Sequence, residues 1–381
     1  MRLTQLGSVH AKPVEVLGDE LYHQRCPRFV RDVLVGETPG TKLLDRSGPL
    51  RDNLAGFDIA GQCFDEPVQG FDDGIVAARG ALGDHDSDLT QRALRKRGIV
   101  CDGLPSTAMV DRDEKAESAR SRFSELHVSG TFIMPNCWDT GSALVLQSLG
   151  FEAIATTSSG FAATLGRHDQ SVSLAELMVH VAAVCAAVNI PLSVDVEAGY
   201  SPEVGGLSRS VGQLAAAGAA GVSIEDYLPE RGLLGREEAV DRVGIFAEAA
   251  ASHGMTVTAR AENHLYGLDD LDDTISRLQA YHQAGAHVVY APGLVELADI
   301  TRVVDEVGAP LNVLLMPGGP TVAELATAGV RRVSTGGSLA FAAYGALAAG
   351  ARELLESGTS RYAEGVLTTQ ERMNAFGSDQ S

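Results

Sequence analysis

One phrase recurs through the later part of this chain: a helical stretch ending in small residues, a glycine, one or two more residues, then a β-rich run closing on a polar turn. It reads Leu149-Gly-Phe-Glu-Ala-Ile-Ala-Thr-Thr-Ser-Ser-Gly160 and Ala217-Gly-Ala-Ala-Gly-Val-Ser-Ile-Glu-Asp226. It returns as Ala284-Gly-Ala-His-Val-Val-Tyr-Ala-Pro-Gly293 and Ala328-Gly-Val-Arg-Arg-Val-Ser-Thr-Gly-Gly337. Gly150, Gly218, Gly285 and Gly329 suit the left-handed position just past a helix, where a Cβ is penalised. Further strands are expected at 132–135, 192–195, 256–259 and 310–315, with helices at 140–149, 173–188, 236–252, 271–284 and 297–307. Roughly eight strands, each followed by a helix, define an α/β chain of the (β/α)8 TIM-type barrel class. A doubly wound open sheet is the alternative. It is weakened because Asn136-Cys-Trp-Asp-Thr-Gly-Ser142 stands where a G-x-G-x-x-G turn belongs.

The first hundred residues lack this order. Segments such as Val35-Gly-Glu-Thr-Pro-Gly40 and Gly83-Asp-His-Asp-Ser-Asp88 are turn chemistry, and no hydrophobic period is sustained. A charged amphipathic helix opens at Met109, a natural initiator. Residues 1–108 are therefore expected to be a poorly structured or spurious N-terminal extension, and 109–381 the barrel. The one basic run, Gln91-Arg-Ala-Leu-Arg-Lys-Arg97, reads as a solvated segment. A net charge of −20 argues against nucleic acid or an anionic membrane as partner. No apolar run of about 18 residues is present to span a bilayer. The five scattered cysteines, without C-x-x-C spacing, read as thiols of a reducing cytoplasm.

In a parallel barrel the reactive face lies at the C-terminal ends of the strands. Asn136 and Asp139 end the first, Thr157-Ser-Ser-Gly160 the second, Asp195 and Glu197 the third, and Glu225-Asp226 the fourth. Arg260-Ala-Glu-Asn263, Pro292-Gly293 and Met316-Pro-Gly-Gly319 end the next three. Asp195 and Glu197, two apart on an extended backbone, point to one side, which suits Mg²⁺ or Mn²⁺ with an anionic ligand completing the shell. They equally suit solvated strand-end acids. Arg260 beside them fits a bidentate carboxylate clamp or, alternatively, a buried ion pair. Ser159-Gly160 is either an ordinary turn or an anion nest. Glu225 either faces the site, caps the following helix or pairs with Arg231. His168 and His264 fall in rim loops.

These pieces, in order, resemble the phosphoenolpyruvate mutase/isocitrate lyase superfamily over about residues 120–356: Pro135-Asn-Cys-Trp-Asp-Thr-Gly-Ser-Ala143, Ser158-Ser-Gly160, Leu165-Gly-Arg-His-Asp169, Asp195-Val-Glu-Ala-Gly-Tyr200, Ile224-Glu-Asp226, Ala259-Arg-Ala-Glu-Asn263, Ala284-Gly-Ala286 and Pro310-Leu-Asn-Val313. The resemblance implies a (β/α)8 barrel, often with the last helix exchanged between subunits, in homodimers or homotetramers. It implies Asp195 as the direct Mg²⁺ ligand, with Glu197, Glu225 and Asp169 holding metal-bound waters. Ser159, Gly160, Arg260 and Asn263 are the implied binding residues for a small anionic carboxylate. The implied chemistry is stabilisation of an enolate while a C–C or P–C bond breaks or forms.

The departures decide which branch. The lyases carry Lys-Lys-Cys-Gly-His after the fourth strand, whereas Tyr227-Leu-Pro-Glu-Arg-Gly-Leu-Leu-Gly-Arg236 has no cysteine, lysine or histidine. It also lacks the lysine and asparagine of the mutase and phosphonopyruvate hydrolase lids, and Glu197 replaces the second aspartate of D-x-D. The expectation is an Mg²⁺-dependent lyase or decarboxylase of a small 2-oxo or 2-hydroxy acid, with Arg260, Glu225 and Tyr200 as catalytic residues. The alternatives are P–C bond chemistry and a non-catalytic barrel that binds a metal-carboxylate ligand.

Overall fold

The repeated glycines do what their positions require. Gly150, Gly218, Gly285 and Gly329 have φ of 89°, 102°, 108° and 86°, each one or two residues past a helix and just ahead of a strand. The computed structural model describes residues 106–201 and 204–377. The expectation for residues 1–105 lies outside them. The helix expected from Met109 starts at Ser106: α1 (Ser106–Leu126) is followed by β1 (Phe132–Met134), β2 (Asn136–Cys137), α2 (Thr140–Ser148), β3 (Ile154–Thr156), α3 (Ser158–Thr164) and α4 (Leu174–Ala187). Next come β4 (Leu192–Asp195), α5 (Val204–Ala217), β5 (Gly221–Glu225), a small hairpin β6 (Tyr227–Leu228) and β7 (Gly232–Leu233), α6 (Arg236–Ala251) and β8 (Thr256–Arg260). The chain continues through α7 (Leu271–Gln283), β9 (Val288–Tyr290), α8 (Leu297–Val307), β10 (Leu311–Leu314), α9 (Val322–Thr327), β11 (Arg332–Ser334), α10 (Ser338–Ser357) and α11 (Thr369–Phe376).

The main sheet runs β1-β11-β10-β9-β8-β5-β4-β3-β2, all parallel. Its two ends, β1 and β2, are halves of one stretch broken at Pro135. Phe132 to Met134 pair with β11, while Asn136 and Cys137 pair with β3. Proline has no N–H to give a ladder, so the stretch changes partner there and closes the ring as a barrel of eight strand positions.

Strand after strand alternates a polar inward side chain with an apolar outward one. Ser193 and Asp195 flank Val194; Ser223 and Glu225 flank Ile224; Thr258 and Arg260 flank Ala259; Arg332 and Ser334 flank Val333. The apolar set packs against the helices in one large cluster that includes Val184, Leu207, Leu214, Phe246, Leu278 and Ile300. Fully burying such a side chain stabilises by about 1.5–3 kcal/mol. The polar set fills the interior. α1 seals the N-terminal end: Phe123 is fully buried, and Gly221 admits it, since a Cβ there would lie 2.5 Å from its ring. Arg120 donates to the carbonyls of Ala215 (2.7 Å) and Ala219 (3.1 Å), fastening the seal. Among the described residues no helix is long and apolar enough to cross a membrane.

Candidate active site

The C-terminal end of the interior is built by β4, β5 and β8. Arg260 lies beside Glu225 in the ladder, as Ser223 does beside Asp195. Arg260 spends three of its five N–H bonds on acids: Nη1 donates to Asp195 Oδ1 at 2.9 Å, Nε to Glu262 at 2.7 Å, and Nη2 lies 3.3 Å from Glu225 Oε2. Its guanidinium also stands 5.4 Å from the ring centre of Tyr290. Asp195 accepts further bonds from Ser223 Oγ (3.3 Å), Glu197 N (3.4 Å) and Ser158 N (3.3 Å). Thr156 Oγ1 takes the backbone N–H of Asp195 at 2.9 Å, fixing the strand end.

The loop after β4 is strained. Among the described residues three non-glycines have positive φ, Gln170 (60°), Glu197 (46°) and Tyr200 (55°). All three belong to this site. Such conformations cost of order 1 kcal/mol each and persist where surroundings impose them. Here the Tyr200 hydroxyl donates to Glu197 Oε1 (3.0 Å), Gln170 Nε2 donates to Glu225 Oε1 (3.1 Å), and Glu225 N donates to the Glu197 carbonyl (3.0 Å). From behind, buried Arg242 on α6 donates to the carbonyls of Ala198 (2.6 Å) and Ser201 (3.0 Å), gripping the loop on both sides of Gly199 and Tyr200.

Crowding of acids shows in their proton affinities. Burial, then the Asp195 charge, pushes Glu197 up to about 7. Burial raises Glu225 well above the usual carboxylate range against the pull of Arg260, and raises Glu262 likewise. Asp169 stands at the solvent-facing rim, yet the surrounding protein and Asp195 raise it too. Arg260 is driven upward: Glu262, Asp195 and Glu225 overcome the burial that opposes its charge. Three carboxylates thus share one guanidinium with Glu197 and Asp169 close by, and a divalent cation would relieve their repulsion. Among the described residues no three acids, histidines or cysteines converge tightly enough to be joint direct ligands. The donor set therefore fits an ion bound directly by one carboxylate and otherwise through water, the habit of Mg²⁺.

The structure gathers Asp195, Glu197, Glu225, Arg260, Tyr200 and Asp169 into one region. Glu225 neither caps α6 nor pairs with Arg231, whose partner is Glu238. Asp139 caps α2 through Ser142 N. The Gly160 N–H is taken by the Thr157 hydroxyl that caps α3 (3.4 Å), and Ser159 Oγ lies 3.1 Å from the same oxygen. Gly160 is required by packing, because a Cβ there would sit 2.5 Å from Thr157 Cγ2. Asn263 turns its amide into its own loop, donating to Thr274 Oγ1 (2.6 Å) and the carbonyls of Leu268 (3.2 Å) and Asp270 (3.3 Å). Its Oδ1 is buried without a hydrogen-bond partner among the described residues. Sequence reasoning passed over Gln170, Glu262, Arg242 and the stacked pair Tyr227–Tyr266, whose rings lie 3.7 Å apart. Only the third residue of Arg260-Ala-Glu262 carried a readable signal, the two-residue spacing that returns a side chain to the same face. An apolar cleft of about 290 Å³ lined by α1, α4 and Gly218 lies on the opposite side and holds none of these groups.

Fold and site together define a (β/α)8 barrel whose C-terminal mouth is ringed by carboxylates around one arginine. The chain belongs to the phosphoenolpyruvate phosphomutase family, whose model matches residues 123–355. It is 36% identical over 219 residues to an uncharacterized protein of Mycobacterium tuberculosis, covering 56% of this chain and 81% of that one. It is 32% identical over 217 residues to the oxaloacetate decarboxylase of Paraburkholderia xenovorans, covering 53% and 71%. A crystal structure from Burkholderia cenocepacia J2315 with a provisional lyase/mutase name superposes with a TM-score of 0.67 at 38% identity, covering 70% of this chain and 98% of that one.

Proposed function

We propose that this protein is an Mg²⁺-dependent carbon–carbon lyase or decarboxylase acting on a small 2-oxo or 2-hydroxy carboxylic acid through an enolate. The observation that carries this is the convergence of Asp195, Glu197 and Glu225 from adjacent strand ends on Arg260, with carboxyl groups too crowded to ionise together unaided. Asp195 is the proposed direct metal ligand, with Glu197, Glu225 and Asp169 holding its waters. Bound there, Mg²⁺ (or Mn²⁺) would supply the positive charge that favours the enolate. The chain's own residues do the rest. Arg260 holds Asp195 and Glu225 in place and keeps two N–H bonds for the substrate carboxylate. Tyr200, bonded to Glu197, stands in a pair able to pass a proton to or from the reacting carbon. Carbon chemistry is favoured over P–C chemistry because the hairpin β6–β7 offers no lysine to a phosphonate.

The test is an NMR screen of 2-oxo acids, 2-hydroxy acids and phosphonopyruvate with Mg²⁺ and with chelator. Metal-dependent pyruvate or a homologous 2-oxo acid supports the proposal. Phosphate release would reassign the protein to P–C chemistry, and silence with ligand binding retained would make it a non-catalytic barrel.

We further propose a homo-oligomer, a dimer or tetramer assembled through α10. That helix exposes Phe341, Leu347, Leu354 and Leu355 along with Tyr344, more apolar surface than a solvated helix keeps. Leu347→Glu with Leu355→Glu should yield monomers by light scattering; an unchanged mass would refute this. A cytoplasmic location fits the scattered cysteines, of which Cys137 is buried with its thiol pushed up to about 12.

A further inference from the structure

Arg242 stands behind the mouth, buried on α6, and two acceptors compete for its charge. One is the loop after β4, where Nη2 donates to the carbonyls of Ala198 (2.6 Å) and Ser201 (3.0 Å). The other is Glu238, one turn earlier on the same helix, at the spacing that brings a glutamate and a following arginine together. Among the described residues Arg242 pairs with no carboxylate, and its Nε is buried without a hydrogen-bond partner. A buried guanidinium left in that condition is drawn to any acid within reach. Glu238 acts on it at a distance. Both Glu238 oxygens, however, are taken at 2.7 Å each by Arg231, which lies in the turn joining β6 to β7.

The loop needs the grip. Gly199 and Tyr200 lie between the two held carbonyls, and Glu197 and Tyr200 both have positive φ, a conformation that side chains resist. The 3.0 Å bond from the Tyr200 hydroxyl to Glu197 Oε1 depends on that backbone. On the α5 side the loop rests on packing: a Cβ at Gly199 would lie 2.3 Å from Leu207 Cδ2, and Ser210 Oγ stands 2.9 Å from the Gly199 carbonyl. Of these contacts, only Arg242 spans Tyr200.

We propose that Arg242 is a positioning residue for the proton-transferring pair Glu197 and Tyr200, and that Arg231 keeps it to that task by occupying Glu238. This role rests on the function proposed above and extends it to a chain of contacts, from hairpin to α6 to loop, none of which touches the substrate. An exposed ion pair that contributes little to stability then matters to turnover. Misplacing reacting groups by about an ångström costs up to about a hundredfold in rate.

Two measurements on the full chain test the role. The first needs no ligand: in protein carrying ring-labelled tyrosine, the Cζ resonance of Tyr200, assigned by its loss in Tyr200→Phe, reports the bond to Glu197. The second is turnover with Mg²⁺ of oxaloacetate or, where that is inert, of the acid active in the panel above. Arg242→Met should shift the resonance and lower kcat by about tenfold or more with KM changed less than about threefold; Arg242→Gln serves if the first variant fails to fold. Arg231→Ala should shift the same resonance in the same direction and lower kcat by about threefold or more. Adding Glu238→Gln to it should restore both, because a neutral amide does not compete for the guanidinium. An unmoved resonance or an unchanged kcat in the folded Arg242 variants overturns the positioning role and leaves the proposed function standing. No effect of Arg231→Ala, or one that Glu238→Gln fails to reverse, overturns the part given to Arg231. Inactivity of the unaltered chain on the whole panel overturns the proposed function and the role of Arg242 in turnover together.

Discussion

Both ends of the barrel interior bury an arginine, and the two are treated in opposite ways. At the C-terminal end Arg260 is surrounded by carboxylates and its charge is held more firmly than in water. At the N-terminal end Arg332, fully buried, has no ion pair among the described residues. Its Nε donates to Asn312 Oδ1 (2.9 Å), Nη2 to Thr258 Oγ1 (2.9 Å), and Nη1 lies 3.3 Å from His127 Nε2. Burial drives Arg332 down to about 9. His127 donates from Nδ1 to the Phe123 carbonyl (2.8 Å), so Nε2 is left as an acceptor facing the guanidinium. One end is a closed hydrogen-bond network among neutral groups and a lone cation; the other holds surplus negative charge facing solvent. The lesson is that an interior arginine is not in itself a sign of chemistry. What distinguishes the C-terminal end is negative charge in excess of its one guanidinium.

The contrast can be broken most severely at Asp195. Asp195→Ala should lower turnover by about a thousandfold or more while the folded circular-dichroism spectrum is kept; full activity in that variant would refute the metal assignment. Next comes a matched pair, Arg260→Met and Arg332→Met. Removing Arg260 strands its acids and should cost about 3–5 kcal/mol in chelator, with part regained on adding Mg²⁺. Removing Arg332 should cost about 1–3 kcal/mol through unsatisfied Asn312 and Thr258, with no response to Mg²⁺. Identical metal responses by thermal melting would erase the distinction between the two ends.

A smaller effect concerns acidity. Burial, reinforced by Arg332, pulls His127 down to about 3. The folded chain keeps this imidazole neutral where the unfolded chain, near 6.5, takes up a proton. Its contribution is complete above about pH 6.5 and is lost as pH falls toward 3, with a slope of at most one proton, about 1.4 kcal/mol per pH unit. His127→Gln, which can still accept from Arg332, should flatten the fall of stability between pH 6.5 and 4; an unchanged slope in denaturant titrations would contradict it. Smallest of all is Arg231→Ala. Its bond to Glu238 is exposed, and the expected outcome is a denaturant midpoint indistinguishable from that of the unaltered chain.

The fold was legible because its punctuation is local. A glycine past each helix and a β-rich run after it place β3, β5, β9 and β11 without tertiary information, and the expected span of α8 matches the structure. Elements without that punctuation escaped: α3 and the β6–β7 hairpin were not foreseen, α5 and α9 were marked only by the glycine that ends each, and Pro135 was read inside a strand that it divides. The acids and Arg260 could be found because strand-end residues of a barrel share one face. Asn263 could not be judged, since a residue three past a strand end is placed by its loop, here by Thr274 and Asp270. Gln170, Arg242 and Tyr266 reach the site from a rim loop, a helix and a turn, and their roles depend on distances that spacing does not encode. A polar-in, apolar-out alternation was nevertheless written into Ser193-Val-Asp195, Ser223-Ile-Glu225 and Arg332-Val-Ser334, and it separates the solvent-reaching interior from the helix-facing layer.

The division at Pro135 sets the order in which this molecule can be completed during synthesis. Phe132 to Met134 leave the ribosome early, yet their ladder partners are Arg332 to Ser334, about two hundred positions later. Until those last residues emerge, the early half-strand is an unsatisfied edge, open to pairing with a neighbouring nascent chain. Ring closure is therefore a late event, and a chain ending before Arg332 should be recovered as aggregate, whereas one cut after α10 should stay in solution.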